Sequence, residues 1–174
     1  MIIKDGREMK IRVSKESDAE KLIEVVKKSA SESENIIVTP DEFSMTVDKE
    51  REFIKSLNEN PKSNHLLAII DNQIVGMCGL HGRNNRRRIA HVTNLGITVL
   101  KEFWGLGIGY LLIIEQIKYA KQNGITKIDL EVRVDNEPAI NLYKKCGFEI
   151  EGIHRNAMNV STGYVDNLFM GLVL

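Results

Sequence analysis

The feature that most constrains the fold is a glycine-rich entry into an apolar helix. Residues 102–120 read EFWGLGIGYLLIIEQIKYA, and three glycines in five positions directly precede a run with helical spacing. The first N–H groups of a helix have no partner within the helix and carry a partial positive charge. Glycines beside them let an anion such as a phosphate approach the backbone closely. The segment therefore predicts an anion site, with a simple tight turn as the alternative.

Two common nucleotide-binding motifs do not fit this segment. A dinucleotide fingerprint would need a further glycine three residues after Gly109, where Leu112 stands. A P-loop would need Gly-Lys followed by Ser or Thr, and the segment has no such triplet. Neither motif accounts for the glycines.

The first third of the chain predicts one strand and two helices. Residues 9–13 alternate like a short strand, and Ser17 with Glu20 has the spacing of a capping box before a helical run. Residues 39–42, TPDE, have the Thr, Pro and acidic residues of a second helix start.

The middle of the chain predicts three strands. Residues 65–70 and 73–82 are apolar strand patterns joined by the turn pair Asp71-Asn72. The polar loop RNNRRR at 83–88 follows, and then a strand at 89–99. We expect an antiparallel meander, with the basic loop solvated.

The last third predicts a strand, a helix and a closing hairpin. Residues 128–134 alternate with one polar face, and Asp135 or Asn136 caps a helix that stops at Gly147. Two final strands turn around residues 161–163. The order βααβββαβαββ indicates an α/β fold with a mixed sheet covered by helices. Since no repeat or linker divides the chain, we expect residues 1–174 to form one domain.

Composition argues against several classes of protein. Lys plus Arg equals Asp plus Glu at 24 each, so no overall field favours a nucleic acid or an anionic membrane as partner. The longest apolar run is far shorter than a membrane span, and a cytoplasmic protein is expected. Cys78 and Cys146 lack metal-ligand spacing, and the histidines are scattered, so we expect free thiols and no metal site.

Two motifs together resemble one known family. LGITVLKEFWGLGIG at 95–109, followed by VDNEPAINLYKKCGF at 134–148, resembles the GCN5-related N-acetyltransferases (GNAT), and the likeness in element order covers nearly the whole chain. The resemblance implies a mixed, mostly antiparallel sheet of about seven strands flanked by about four helices. It also implies an enzyme that transfers an acetyl group from acetyl-CoA to a primary amine.

The resemblance assigns the cofactor-binding residues. In the family, the strand before the glycine loop separates from the next strand, and pantetheine pairs with it; Ile97, Thr98 and Val99 match that strand end. The coenzyme A pyrophosphate would lie on the loop and helix start, with Asn136 and Tyr143 also contacting the cofactor. Trp104 stands where the family usually has Arg or Gln, so backbone contacts must carry more of the phosphate binding. The loop residues are Gly105, Leu106, Gly107, Ile108, Gly109 and Tyr110.

The resemblance also suggests catalytic residues. Tyr143 would donate a proton to the leaving thiolate, and a backbone N–H near residues 95–97 would stabilise the oxyanion. Relatives carry a glutamate at about the position where this chain has Asn94, and an asparagine cannot act as a base. The remaining candidates for the general base are Glu131, His91 and a water relay. We predict Glu131 as the catalytic residue.

The sequence leaves the acceptor and two other functions open. The amine could belong to a small molecule or to a protein N-terminus, and a homodimer is expected only from the family. A domain that binds coenzyme A as a sensor or interaction module is one alternative. A transferase that uses another acyl-CoA donor, such as succinyl-CoA, is the other. For the acceptor pocket, residues 41–43 are expected on one wall, with Tyr164 and Asp166 on the other.

Overall fold

The computed structural model describes residues 1–83 and 86–174, and their strands form a seven-stranded sheet in the order β1-β2-β3-β4-β5-β7-β6. Neighbouring strands are antiparallel except β4 and β5, which are parallel. The strands are β1 (Met9–Val13), β2 (Asn64–Ile70), β3 (Gln73–Gly82), β4 (Val92–Val99), β5 (Lys127–Arg133), β6 (Glu149–Val160) and β7 (Gly163–Val173). The mixed, mostly antiparallel sheet predicted from the sequence is confirmed.

Four α-helices flank this sheet, as predicted. They are α1 (Ala19–Glu32), α2 (Val47–Glu59), α3 (Ile108–Gln122) and α4 (Glu137–Lys145). Short 3-10 turns precede α1, β4 and the glycine loop, at Glu16–Asp18, Arg87–Ile89 and Lys101–Phe103. The middle of the predicted basic loop, Asn84 and Asn85, lies outside the described residues.

Local turn chemistry explains the predictions that hold most closely. Asp71 and Asn72 both have positive φ, 49° and 63°, which is the geometry of the tight turn that joins two twisted strands. Asn136 caps α4 by accepting a hydrogen bond from the Ala139 N–H at 3.3 Å. The final hairpin turns at 161–162 and places β7 against β6.

Two predicted helix starts are wrong. Helix α1 has Asp18 at its N-cap position instead of Ser17, because it continues from a 3-10 turn at Glu16–Asp18. In this turn the Asp18 carboxylate accepts from the Lys15 N–H at 2.8 Å and from Arg12 at 2.6 and 2.7 Å. Helix α2 begins after Thr46, whose extended backbone and hydroxyl cap the Lys49 N–H.

The TPDE segment makes a single turn, and the third strand of the meander starts late. The Phe43 N–H donates to the Thr39 carbonyl at 3.2 Å, and the chain then leaves helical geometry. Strand β4 begins at Val92 and not at 89, because residues 87–89 form a 3-10 turn. The His91 carbonyl then accepts from the Thr126 and Lys127 N–H groups, which joins this turn to the start of β5.

A buried amide holds α3 against the sheet. Gln116 is fully buried on α3, and its Nε2 donates to the carbonyls of Asn64 at 3.2 Å and Cys78 at 2.5 Å. Its Oε1 accepts from the Asn64 amide at 3.0 Å. Successive side chains of a strand point to opposite faces, so His65 and His81 lie on the face of the sheet opposite α3. There the ring of Phe53, on α2, stacks on the His81 ring at 5.9 Å. The two faces of the sheet are therefore covered by α3 and by α1 with α2.

Replacing Gln116 tests how much this network stabilises the fold. We expect Gln116→Leu to lower the free energy of unfolding by about 3 kcal/mol, because it removes the buried hydrogen bonds of Gln116 to the Asn64 amide and to two strand carbonyls. Urea denaturation measures the change. Gln122→Leu, on the exposed end of the same helix, is the control and should shift stability by less than about 0.5 kcal/mol. Equal effects of the two variants would contradict this account.

Candidate active site

The parallel strands β4 and β5 separate after a short contact. Only three residue pairs join them, from Val92 with Lys127 to Asn94 with Asp129. Beyond Asn94, β4 continues to Val99 while pairing only with β3. The backbone of residues 95–99 therefore presents a strand edge to the space between the two strands.

A cavity of about 1260 Å³ occupies this separation and extends to both faces of the sheet. On one side it reaches the glycine loop and the starts of α3 and α4. On the other it reaches α2, the α1–α2 loop and β7. Every cofactor residue predicted from the sequence lines it, namely Ile97, Thr98, Val99, Trp104, Gly105, Leu106, Gly107, Ile108, Gly109, Tyr110, Asn136 and Tyr143.

The glycine loop has the backbone geometry that its sequence predicts. Gly105 and Gly107 have φ of +77° and +88°, values that other residues adopt only with strain. Gly107 is the N-cap of α3, and no side chain caps this helix end. A Cβ at Gly109 would lie 3.0 Å from the Leu142 side chain. The first N–H groups of α3 thus open onto the cavity.

Two lysines that sequence reasoning missed flank this helix start. The Lys4 side chain comes within 3.9 Å of the position that a Cβ would take at Gly107. The Lys145 ammonium lies over the Tyr110 ring, 4.7 Å from its centroid. Both line the cavity and add positive charge where Trp104 cannot. No local motif could indicate Lys4, because it is about a hundred residues away in the sequence.

Trp104 holds the glycine loop to the end of β4. Its indole N–H donates to the Val99 carbonyl at 2.6 Å, and its side chain is about half exposed at 49%. The bond occupies one acceptor at the exposed edge of β4. Trp104 therefore has a structural contact of its own beside its position on the cavity wall.

Tyr143 is buried at the end of the cavity formed by α4. Its ring packs edge-on against Phe148 at 5.9 Å, and only 7% of its surface is exposed. Burial, with smaller contributions from the Cys78 and Cys146 thiols, raises the pKa of Tyr143 above its usual range. The phenol therefore stays protonated at neutral pH and can act as a hydrogen-bond donor.

Glu131 lies on the polar face of β5 and lines the cavity. Its Oε2 accepts from the Asn167 amide at 3.3 Å and lies 3.3 Å from His154 Nδ1. The His154 ring stacks on Phe169 at 5.3 Å. Asn167 is 7% exposed, and its Oδ1 is buried without a hydrogen-bond partner among the described residues. Two polar side chains thus hold the Glu131 carboxylate on this wall.

The other base suggested by the sequence is not on the cavity wall. His91 is exposed at the turn before β4 and is absent from the cavity lining. Asn94, where relatives carry a glutamate, accepts from Arg83 at 2.5 Å. Among the residues expected to form the acceptor pocket, Phe43 lines the cavity, whereas Asp41, Glu42, Tyr164 and Asp166 do not.

The sequence analysis missed a group of cavity-lining side chains near α2, three of which are titratable. Glu50, Phe53, His65 and His81 all line the cavity, although they come from α2, β2 and β3. A Cβ at Gly79 would lie 2.8 Å from His81 Nε2, so this glycine makes room for the imidazole. Alternation along β2 and β3 could have shown that the histidines share a face, but it could not have shown that Glu50 lines the same cavity.

Both cysteines are free and buried, as predicted. Burial raises the pKa of Cys146 to about 11 and raises that of Cys78 further above its usual range. Neither thiol forms a thiolate readily at neutral pH, and a nucleophilic cysteine requires one.

Two further searches cover the described part of the chain. Residues 1–83 and 86–174 contain no cluster of three or more His, Cys, Asp or Glu side chains that could hold a metal ion. The helices in the same ranges are too short or too polar to cross a membrane.

The comparisons with known proteins agree with the fold and cavity. The model of the acetyltransferase (GNAT) family matches residues 31–148. The L-amino acid N-acetyltransferase AaaT of Escherichia coli K12 is 36% identical over 67% of this chain and 72% of its own length. An N-alpha-acetyltransferase of Sulfurisphaera tokodaii is 29% identical over 84% of this chain and 83% of its own.

A solved structure shows the same architecture. The crystal structure of a GNAT-family acetyltransferase from Streptococcus pneumoniae superposes with a TM-score of 0.92 at 27% identity, covering 96% of this chain and 99% of that chain. The chain belongs to the acetyltransferase (GNAT) family. It is an acetyl-CoA-dependent N-acetyltransferase.

The buried His65 predicts a loss of stability at acid pH. Burial and nearby His81 lower the pKa of His65 to about 4, whereas an unfolded histidine has a pKa near about 6.5. Its contribution to stability is therefore full above about pH 6.5 and is lost as the pH falls towards 4, by about 3 kcal/mol.

Urea denaturation at pH 7 and pH 4.5 measures this effect in wild type and in His65→Gln, which does not titrate. The variant should lose less stability between the two pH values. His91→Gln, at an exposed histidine, is the control and should behave like wild type. A pH dependence that is unchanged in His65→Gln would show that other groups cause it.

Proposed function

We propose that the cavity binds acetyl-CoA on its α3 and α4 side and an α-amino group on its α2 and β7 side, and that the acetyl group passes directly between them. The observation that carries this proposal is the separation of β4 from β5 beside the uncapped start of α3. A strand edge and a set of free helix N–H groups are the two backbone features that a pantetheine arm and a pyrophosphate require.

The donor site combines backbone and side-chain contacts. Residues 105–110 would hold the pyrophosphate through their N–H groups, with Lys4 and Lys145 adding charge. Residues 97–99 would pair with the amides of the pantetheine arm, and Asn136 would contact it beside the α4 cap. The donor supplies a thioester, whose carbonyl is open to attack by an amine and whose sulfur is a good leaving group.

Tyr143 is the residue that we assign to the leaving sulfur. Its buried phenol keeps its proton at neutral pH and can donate a hydrogen bond to developing negative charge. Because the pKa of Tyr143 is raised well above that of a thiol, its hydroxyl acts by donating a hydrogen bond that stabilises the leaving thiolate. A backbone N–H in residues 95–97 would stabilise the carbonyl oxygen in the same way.

Glu131 is the residue that we assign to the acceptor amine. An α-amino group has a pKa near about 8, so only its neutral form attacks, and a nearby carboxylate can remove the proton directly or through water. The Asn167 amide and His154 orient Glu131.

The chemistry of the two cysteines supports direct transfer. An acetyl-cysteine intermediate would need an accessible thiolate, and burial opposes one at both Cys78 and Cys146. Direct attack within a complex of protein, donor and amine requires only that the two substrates be held together.

The names of two relatives support the choice of acceptor. One is named for L-amino acids, and the other is named an N-alpha-acetyltransferase. Both names describe transfer to an α-amino group, attached either to a free amino acid or to a protein N-terminus. We propose that this chain acts on the same chemical group.

The proposal also covers the domain organisation, the location and the assembly of the protein. Residues 1–174 would act as one catalytic domain, because strands from both ends of the chain belong to the same sheet. The two free thiols fit a reducing, cytoplasmic location. A homodimer is the assembly that we propose, and sedimentation measures it.

Calorimetric titration with acetyl-CoA, followed by an assay of thiol release with a panel of amino acids and short peptides, tests the function. Binding with turnover is expected, and binding without turnover would favour a coenzyme A sensor.

We expect Gly107→Val to weaken acetyl-CoA binding at least about 100-fold, because the valine side chain blocks the approach of the pyrophosphate to the backbone and strains a φ of +88°.

The matched control is Gly163→Val in the final hairpin. Gly163 also has a positive φ, +111°, but a Cβ there meets nothing within 4 Å and it is outside the cavity lining. The control should therefore show the cost of backbone strain without a loss of binding. Equal binding by both variants would contradict the phosphate site.

Replacing Tyr143 tests its role in the chemical step. Tyr143→Phe should slow single-turnover acetyl transfer by about 100-fold, because the hydrogen bond to the leaving sulfur is lost. The affinity for acetyl-CoA should change by less than about threefold, since the ring still packs on Phe148. Tyr164→Phe, at an exposed tyrosine, is the control. An unchanged single-turnover rate in Tyr143→Phe would remove the assignment.

A further inference from the structure

Glu50 is a buried carboxylate that the reaction described above does not use. It lies in the first turn of α2, is only 8% exposed and lines the cavity. Phe53 and Ile54, three and four residues later, share its side of the helix. Ile54 packs in the core, and Phe53 stacks on His81 of β3. The carboxylate is thus placed on the acceptor side of the cavity.

The Glu50 carboxylate has no partner within residues 1–83 and 86–174. No hydrogen bond or ion pair reaches it, and burial alone raises the pKa of Glu50. A largely buried carboxylate without a partner is unfavourable in a fold, because it loses part of its hydration and gains no pairing in return. Such a group in a substrate cavity is best explained by a ligand that supplies the missing charge.

The neighbouring side chains do not supply that charge. Burial lowers the pKa of both His65 and His81, so these imidazoles are uncharged at neutral pH. The two arginines on this side are paired elsewhere. Arg83 contacts Asn94 and Asp129 at 2.5 and 3.5 Å, and Arg133 contacts Asp135 at 2.6 Å. Glu50 therefore remains available to a cation from outside the protein.

We propose that Glu50 binds a second positive charge on the acceptor, and this proposal rests on the proposed function. The charge belongs to an ammonium or guanidinium group distant from the α-amino group. The reactive amine lies at Glu131, and the distal cation lies at Glu50. The acceptor is then a basic amino acid or a peptide that begins with one.

Apolar side chains that line the same cavity fit the stem of such an acceptor. The α1–α2 loop contributes Phe43 and Met45, and α2 contributes Phe53. Apolar and aromatic side chains pack against the methylene groups of lysine and arginine, whose charged ends remain free to pair. An acceptor with an uncharged side chain would leave the Glu50 carboxylate buried and unpaired.

The test compares L-arginine with L-citrulline, which have nearly the same shape but differ in the distal charge. Wild type should acetylate arginine with a kcat/KM at least about tenfold higher. Glu50→Gln should lower kcat/KM for arginine by about tenfold or more and for citrulline by less than about threefold. Glu52→Gln, on the exposed face of the same helix, is the control and should leave both values unchanged.

Two outcomes of the kinetic comparison would overturn the proposal. Equal use of arginine and citrulline by wild type would remove the charge preference. An equal loss for both acceptors in Glu50→Gln, with a changed pH profile, would make Glu50 a general base instead. If neither acceptor is turned over, the proposed function fails separately. Calorimetric titration of the coenzyme A-loaded protein with each amino acid then decides, because arginine must bind more tightly than citrulline and lose this advantage in Glu50→Gln.

Discussion

The interaction on which the site depends is the buried amide network of Gln116. It joins α3 to two strands through the carbonyls of Asn64 and Cys78 and through the Asn64 side chain. With α3 fixed in this way, its N-terminus is held beside the point where β4 and β5 separate. The helix dipole, the free N–H groups and the open strand edge then meet in one place, although each comes from ordinary backbone geometry.

Much of the fold was predictable because its signals are local. The Asp71-Asn72 turn, the Asn136 cap and the alternation along β5 each lie within a few residues of the structure that they determine. The wrong helix starts have a different origin. Arg12, on the preceding strand, fixes the Asp18 carboxylate in the turn that leads into α1, and spacing alone does not show that contact.

The same distinction applies to the site. The glycine loop is one continuous motif, and its cavity-lining residues were found from it together with the family likeness. Lys4, Glu50, His81 and Asn167 come from the N-terminal segment, a helix and two distant strands. Their importance depends on being buried together, or on lacking a partner, and neither property can be read from spacing. The acceptor side is therefore the part that required the structure.

The open edge of β4 also bears on aggregation. Unpaired strand edges at the margin of a sheet recruit strands from other molecules. Here the edge lies inside the sheet, between β5 and the glycine loop, and Trp104 occupies the last carbonyl. A foreign strand cannot reach it without displacing these walls, whereas a slender, flexible chain can. The architecture thus keeps a set of backbone hydrogen-bonding groups free for a small molecule and closed to another protein.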